Sequence, residues 1–397
     1  MTRAGTVPEV FLAFLRLGVT SFGGPIAHLG YFRDDLVTRR RWMDDRAYAD
    51  LVALCQFLPG PASSQVGFAM GLQRAGFLGA LAAFLGFTLP SAVLLVAFAA
   101  GASLFGGPVG GGILDGLKIV AVAIVAQAVW GMARSLTPDP PRAAIAVVAT
   151  ALALVAPGAV GQLGALAIGV LAGLLLLREV ADPPGESLPS FGVPRAVAIG
   201  CLIVAVVGLL GLPVLAAVTG SGVVALADAF YRSGALVFGG GHVVLPLLQG
   251  AVVETGWVSP DAFLAGYGAA QAVPGPLFTF AGYLGAVSSV GPGGVAGAAV
   301  ALAAIFLPGF LVLVGVLPFW DALRGRPRVR TAMRGANAAV VGILAAALYT
   351  PVFTTAITGP GPFVLALVGF VLLTTFRTPA WAVVIIGAVG GIALSLL

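Results

Sequence analysis

Long apolar runs broken by short polar punctuation dominate this chain. Stretches such as 76–104 and 193–218 carry almost no charge and are long enough to cross a hydrocarbon core, which takes ~20 apolar residues per helix. The pattern predicts an all-α polytopic membrane protein. No polar stretch is long enough to build a soluble domain, and the first eight residues do not read as a cleavable signal. Composition agrees: 59% of the 397 residues are hydrophobic and 9% charged, too little charge to cover a soluble surface. The lipid bilayer is therefore the first partner implied. Abundant glycine (57) and proline (27) fit helices that pack closely or break inside a membrane.

The apolar pattern repeats. FLRLGVTSFGG at 14–24 answers FYRSGALVFGG at 230–240, with six of eleven positions identical. QFLPGP at 56–61 answers QAVPGP at 271–276, and Trp42 answers Trp257. Leu89-Pro90 answers Leu307-Pro308, and 116–130 parallels 335–349. The expected organisation is a first repeat at 9–178, a linker at 179–225 carrying one extra transmembrane helix, and a second repeat at 226–397.

Charge orients the halves. The loop at 33–46 holds Arg33, Arg39, Arg40, Arg41 and Arg46, whereas its counterpart at 250–261 has no Lys or Arg and carries Glu254 and Asp261. Conversely, 321–334 is rich in arginine and its first-half counterpart near 103–112 is uncharged. Cytoplasmic loops collect Lys and Arg, so the halves are expected to be inverted-topology repeats. If every apolar segment spans, there are thirteen membrane segments. If 9–38 and 47–74 and their counterparts are re-entrant or broken hairpins, about nine full crossings remain and the basic loops fall on one side. The second count is preferred. It describes a multi-pass membrane chain, and it accounts for the basic pI near 9.7 without nucleic acid.

Candidate chemistry sits at four breaks: SFGGP at 21–25, FLPGP at 57–61, VFGGG at 237–241 and AVPGP at 272–276. Pro25, Pro61 and Pro276 are placed to be first helical residues, with helix N-termini pointing into the membrane and offering amide donors to an anion. Ser63, Ser64 and Thr279 follow the PGP turns and Gln56 and Gln271 precede them. These are neutral donors suited to an oxyanion that must also be released, or else they satisfy nearby backbone carbonyls.

Arg16, Arg232 and Lys118 lie within apolar segments, where an ionisable side chain marks a functional site by default. Arg16 and Arg232 occupy equivalent positions and would set two cations about a central cavity. The plainer readings are pairing of Arg232 with Asp228, pairing of Lys118 with Asp115, and snorkelling of Arg16 to the interface. His28 and His242 follow the glycine turns, either to bond or titrate or simply to pack. The two cysteines, Cys55 and Cys201, suggest neither a disulfide framework nor a metal cluster, and no cofactor is implied.

The paired FGG and PGP breaks, their recurrence, and RRRWMDD at 39–45 resemble the chromate ion transporter family in its long, two-domain form. The resemblance covers nearly the whole chain. It implies a secondary transporter that exports chromate across the bacterial cytoplasmic membrane and confers resistance, with sulfate, a similar tetrahedral dianion, as competitor. It also implies importance for Phe22, Gly23, Gly24, Pro25, Pro59, Gly60 and Pro61. By repeat position this extends to Phe238, Gly239, Gly240, Pro274, Gly275 and Pro276. The second half departs at Gly241, where the first has Pro25, which leaves open whether the two halves contribute equally.

No Walker-type nucleotide loop is present. An enzyme would need clustered catalytic groups, and two separated histidines with few intramembrane carboxylates do not supply them. A passive anion channel is not separated from a carrier by sequence. A homodimer is compatible with this plan but has no residue pattern behind it.

Overall fold

The computed structural model describes residues 5–22, 24–101, 107–156, 159–177, 191–237, 243–320 and 326–396, which are helical with no strand among them. The first half opens with α1 (Val7–Thr20), started by a capping box in which Thr6 and Glu9 exchange side-chain and backbone hydrogen bonds. After the first glycine break, α2 (Gly24–Phe32) runs back through a π-helical turn, Arg33–Arg39. Next come α3 (Asp45–Phe57), capped by Asp44, and α4 (Ala62–Gly101), interrupted by non-helical Ala75 and Gly76. The half closes with α5 (Gly107–Leu136), α6 (Pro140–Val155) and α7 (Ala159–Leu176).

The extra apolar segment is α8 (Arg195–Thr219). The second half repeats the order. It comprises α9 (Gly222–Ala235), α10 (Val244–Leu248) with a π-helical extension to Val253, α11 (Pro260–Ala272), α12 (Phe280–Val287) and α13 (Gly294–Val316). It then ends with α14 (Pro327–Ala347), α15 (Pro360–Thr374) and α16 (Ala380–Ser395).

The hairpins enter and leave at the same end. In the first half, the Gly5 amide donates to the Arg74 carbonyl, Glu9 pairs with Arg74, Arg33 pairs with Asp45, and Arg74 lies over Trp42. These contacts join both ends of both hairpins. In the second half, Gly222 abuts Gly291 and the Ser289 amide donates to the Trp257 carbonyl. The 14 residues of α1 extend about 21 Å at helical rise, short of the ~30 Å hydrocarbon thickness. α1 packs along α4, with Gly18 against Gly86 and Phe87 too closely for any Cβ. It therefore stops about midway along the outgoing part of α4. Among the described residues, five helical segments are long and apolar enough to cross a membrane, namely α4, α5, α8, α13 and Arg328–Ala356, which begins in α14; α6, α7, α15 and α16 are shorter apolar helices. The first-half hairpin loops share an end with Arg134, Arg142, Arg195, Arg326 and Arg377. The second-half hairpin loops lie at the other.

The third long helix of each half is clasped by the last two helices of the other: α5 by α15 and α16, α14 by α6 and α7. Small residues allow these contacts, with Gly116 against Gly387 and Gly335 against Gly169 and Gly173. In hydrocarbon, such backbone approach is what holds helices together, because burying leucine against leucine gains little over lipid. The outer surface is apolar; Val155, Leu175 and Val218 are each at least 80% exposed, as suits side chains meeting lipid.

Candidate functional site

The helix breaks meet at the centre and are stitched across the two halves. In a Pro-Gly-Pro turn the glycine carries the only amide hydrogen of the three. The Gly60 amide donates to the Val237 carbonyl at 2.8 Å, and the Gly275 amide donates to the Ser21 carbonyl at 2.9 Å. Each PGP turn thus grips the residue just ahead of the other half's glycine turn. Gly60 has φ +115° and Gly275 φ +100°, a region that L side chains rarely adopt. These two amides are consumed internally and do not face a ligand. Pro61 and Pro276 stand just before their helices and Pro25 second in α2, not first as the spacing suggested. The positive-φ glycine turns each chain late, so the proline at Pro276 keeps an extended ψ of 133°.

Around the first-half turns lies a buried polar centre. His28, 1% exposed, places Nδ1 3.4 Å from Ser63 Oγ and meets the edge of Phe87. Ser91 Oγ donates to the Thr88 carbonyl, and Ser91 and Phe87 both crowd Gly275. Gln65, fully buried, donates from Nε2 to the carbonyls of Pro59 (2.9 Å) and Gly309 (2.8 Å), fastening the first PGP turn to α13 beside Pro308. The hydroxyls of Ser21, Ser64 and Thr88 are buried with no hydrogen-bond partner among the described residues. Each such group costs about 1–3 kcal/mol, an expense that function explains better than packing.

The corresponding second-half positions are apolar. In repeat register Ser21 answers Val237, His28 Val244, Ser63 Phe278, Gln65 Phe280, Thr88 Phe306 and Ser91 Gly309. Ser64 answers Thr279, whose hydroxyl donates to the Pro276 carbonyl at 2.7 Å and so satisfies its own turn. Where the first half has hydroxyls and an imidazole, the second has aromatic packing, with Phe278 on Phe306 and Phe306 on Phe310.

The cations also diverge. Arg232 is bonded to buried Asp228 at 2.6 Å. Its counterpart Arg16 has Leu12 where the second half has Asp228. Arg16 is exposed on α1 and takes no acidic partner among the described residues, because Glu9 goes to Arg74. Lys118 bridges Asp115 (2.6 Å) and Asp261 (2.8 Å), the second of these on α11 of the other half. Phe22 reaches Trp381 at the start of α16. Gly24 stands at φ +80°, Gln56 is exposed, and Gln271 is half-buried beside Pro274, its Nε2 without a hydrogen-bond partner among the described residues. Gly23, Phe238, Gly239, Gly240 and His242 lie outside the described residues.

Sequence reasoning passed over Ser21, Gln65, Thr88 and Ser91. Comparing each polar residue with its repeat partner would have found them, since their partners are apolar or glycine.

A profile described as Chromate transporter matches residues 8–177 and again 224–392. A probable chromate transport protein of Synechococcus elongatus is 30% identical over 84% of this chain and 82% of its own length. The chromate transport protein of Pseudomonas aeruginosa is 30% identical over 85% and 79%, and that of Cupriavidus metallidurans 29% identical over 99% and 94%. No solved structure matches the chain significantly. With the family profile falling once on each set of interlocked hairpins, this multi-pass membrane protein belongs to the chromate transporter family.

Proposed function

We propose that the protein is a secondary transporter of the bacterial inner membrane that exports chromate, with sulfate as a competing tetrahedral dianion, and that the anion binds at the first-half polar centre. The observation that carries this reading is the one-sided polarity. Three hydroxyls without a hydrogen-bond partner among the described residues lie around the first-half turns, with an imidazole beside Ser63, while the equivalent positions of the other half hold Val237, Val244, Phe306 and Thr279, whose hydroxyl bonds its own turn. Neutral hydrogen-bond donors replace hydration without holding a dianion so tightly that it cannot leave. Arg16, five residues before Ser21, supplies the countercharge; Arg232 is neutralised by Asp228.

The repeats of this reading are 9–178 and 226–397, inverted, with 179–225 as linker; the two profile matches and the opposite entry ends of the hairpins support it. The arginine-bearing end is cytoplasmic by the positive-inside rule. Export of a dianion from a negative-inside cell is electrically downhill by about 2.3 kcal/mol per charge per 100 mV, and alternating access follows from one repeat moving against the other.

Chromate uptake into everted vesicles carrying the protein tests this. Potential-dependent accumulation that sulfate reduces and Arg16→Ala abolishes is the expected result. Accumulation no greater than in empty vesicles, with the protein correctly inserted, would sink the chromate assignment.

A further inference from the structure

The two PGP hairpins are docked differently. Helix α11 is wedged against α5 and α16, with every residue from Phe263 to Ala270 buried. Helix α3, its repeat counterpart, packs on α4 and the Arg33–Arg39 turn and leaves Ala49, Ala53 and Gln56 exposed. Two features hold α11 in place. Gly268 lies against the backbone of Leu117 with no space for a Cβ. Lys118, 16% exposed, bridges Asp115 on its own helix and Asp261 on α11. Asp261, Ala265 and Gly268 fall on one stripe of α11 at i, i+4 and i+7, so the ion pair and the close approach act on the same face. Lys118 is 16 residues from Arg134 on α5, about 24 Å at helical rise, which puts this contact toward the end away from the arginine loops.

The first half cannot build the same contact. In repeat register Gly268 becomes Ala53, Lys118 becomes Asn337, Asp115 becomes Arg334 and Asp261 becomes Arg46. A methyl group stands where the backbones would touch, and two arginines stand where the acids would be.

We propose that Lys118, Asp115 and Asp261 form a latch that holds α11 on α5, so that opening at the end away from the arginine loops requires breaking this bridge. The proposal uses the alternating-access reading above, but its test needs no chromate. Ala265→Cys, in protein whose Cys55 and Cys201 are replaced by Ala, reports whether the α5-facing stripe is open to a membrane-impermeant maleimide applied from that end.

In the latched protein labelling is slow. Lys118→Met and Asp261→Asn each speed it by about fivefold, the population change that losing a partly exposed ion pair produces. Lys118→Asp combined with Asp261→Lys, which restores one cation between two acids, returns labelling to the slow rate. Unchanged labelling in both single variants, or fast labelling in the charge-swapped protein, would overturn the latch. All variants are compared as inserted, monodisperse protein. Slow labelling restored by the swap in a protein that moves no chromate would retain the latch and discard only the substrate.

Discussion

The two hairpin pairs share a backbone plan and differ in what they do with it. The first, built on α1 to α4, surrounds its turns with Ser21, His28, Ser63, Ser64 and Thr88 and leaves three hydroxyls without a partner among the described residues. The second, built on α9 to α13, fills the same positions with Val237, Val244, Phe278 and Phe306, and its one retained hydroxyl, Thr279, bonds its own turn. The difference teaches that repeat symmetry here fixes geometry and not chemistry. A symmetric scaffold stitches each PGP turn to the residue ahead of the other half's glycine turn, and the side chains around those turns differ between the halves.

Charge substitutions should separate the halves most widely. Arg16→Gln is expected to lower chromate transport by roughly 10- to 100-fold, the worth of one charge-assisted hydrogen bond at about 1.5–3 kcal/mol. The pair Asp228→Asn with Arg232→Gln removes both partners together and should leave initial vesicle rates within about twofold, since replacing both members of a bonded pair is near neutral. Equal losses in the two proteins would return the countercharge to a symmetric arrangement.

The turns themselves should show the opposite, matched behaviour. Gly60→Ala and Gly275→Ala each force a side chain into positive φ, costing about 1–3 kcal/mol. The added Cβ would also lie 3.0 Å from Gly309 Cα in the first case and 2.8 Å from Ser91 Oγ in the second. Thermal unfolding in detergent should fall by similar amounts for both. A large drop for one alone would mean that the cross-stitching is not shared.

The finest comparison is between Ser64 and Thr279, which hold equivalent places. Ser64→Ala should raise the KM for chromate about fivefold, the loss of one hydrogen bond of about 1 kcal/mol, and should raise stability by about 1–3 kcal/mol, because it removes a buried hydroxyl that has no partner among the described residues. Thr279→Val should leave KM where it is and weaken only its turn.

Much of this was legible in the chain. The apolar runs fixed the class of protein, because a continuous run of ~20 apolar residues crosses hydrocarbon as a helix that satisfies its own backbone. The recurrence of Arg, Gln and PGP in register announced the repeat, and the reversed placement of arginine loops favoured re-entrant hairpins over thirteen crossings; the Gly5–Arg74 and Trp257–Ser289 contacts bring the ends of each hairpin pair together. The resemblance to the chromate transporters rested on those same motifs.

What the sequence left open was partnership, which depends on distance across the fold. It placed Gly60 and Gly275 at helix breaks but could not tell that their amides are taken by Val237 and Ser21. It offered Asp115 as a partner for Lys118 but not Asp261, which lies 143 residues away. Local spacing determines which groups are close along a helix; only packing of one half into the other decides which buried donors are satisfied and which are left without a partner.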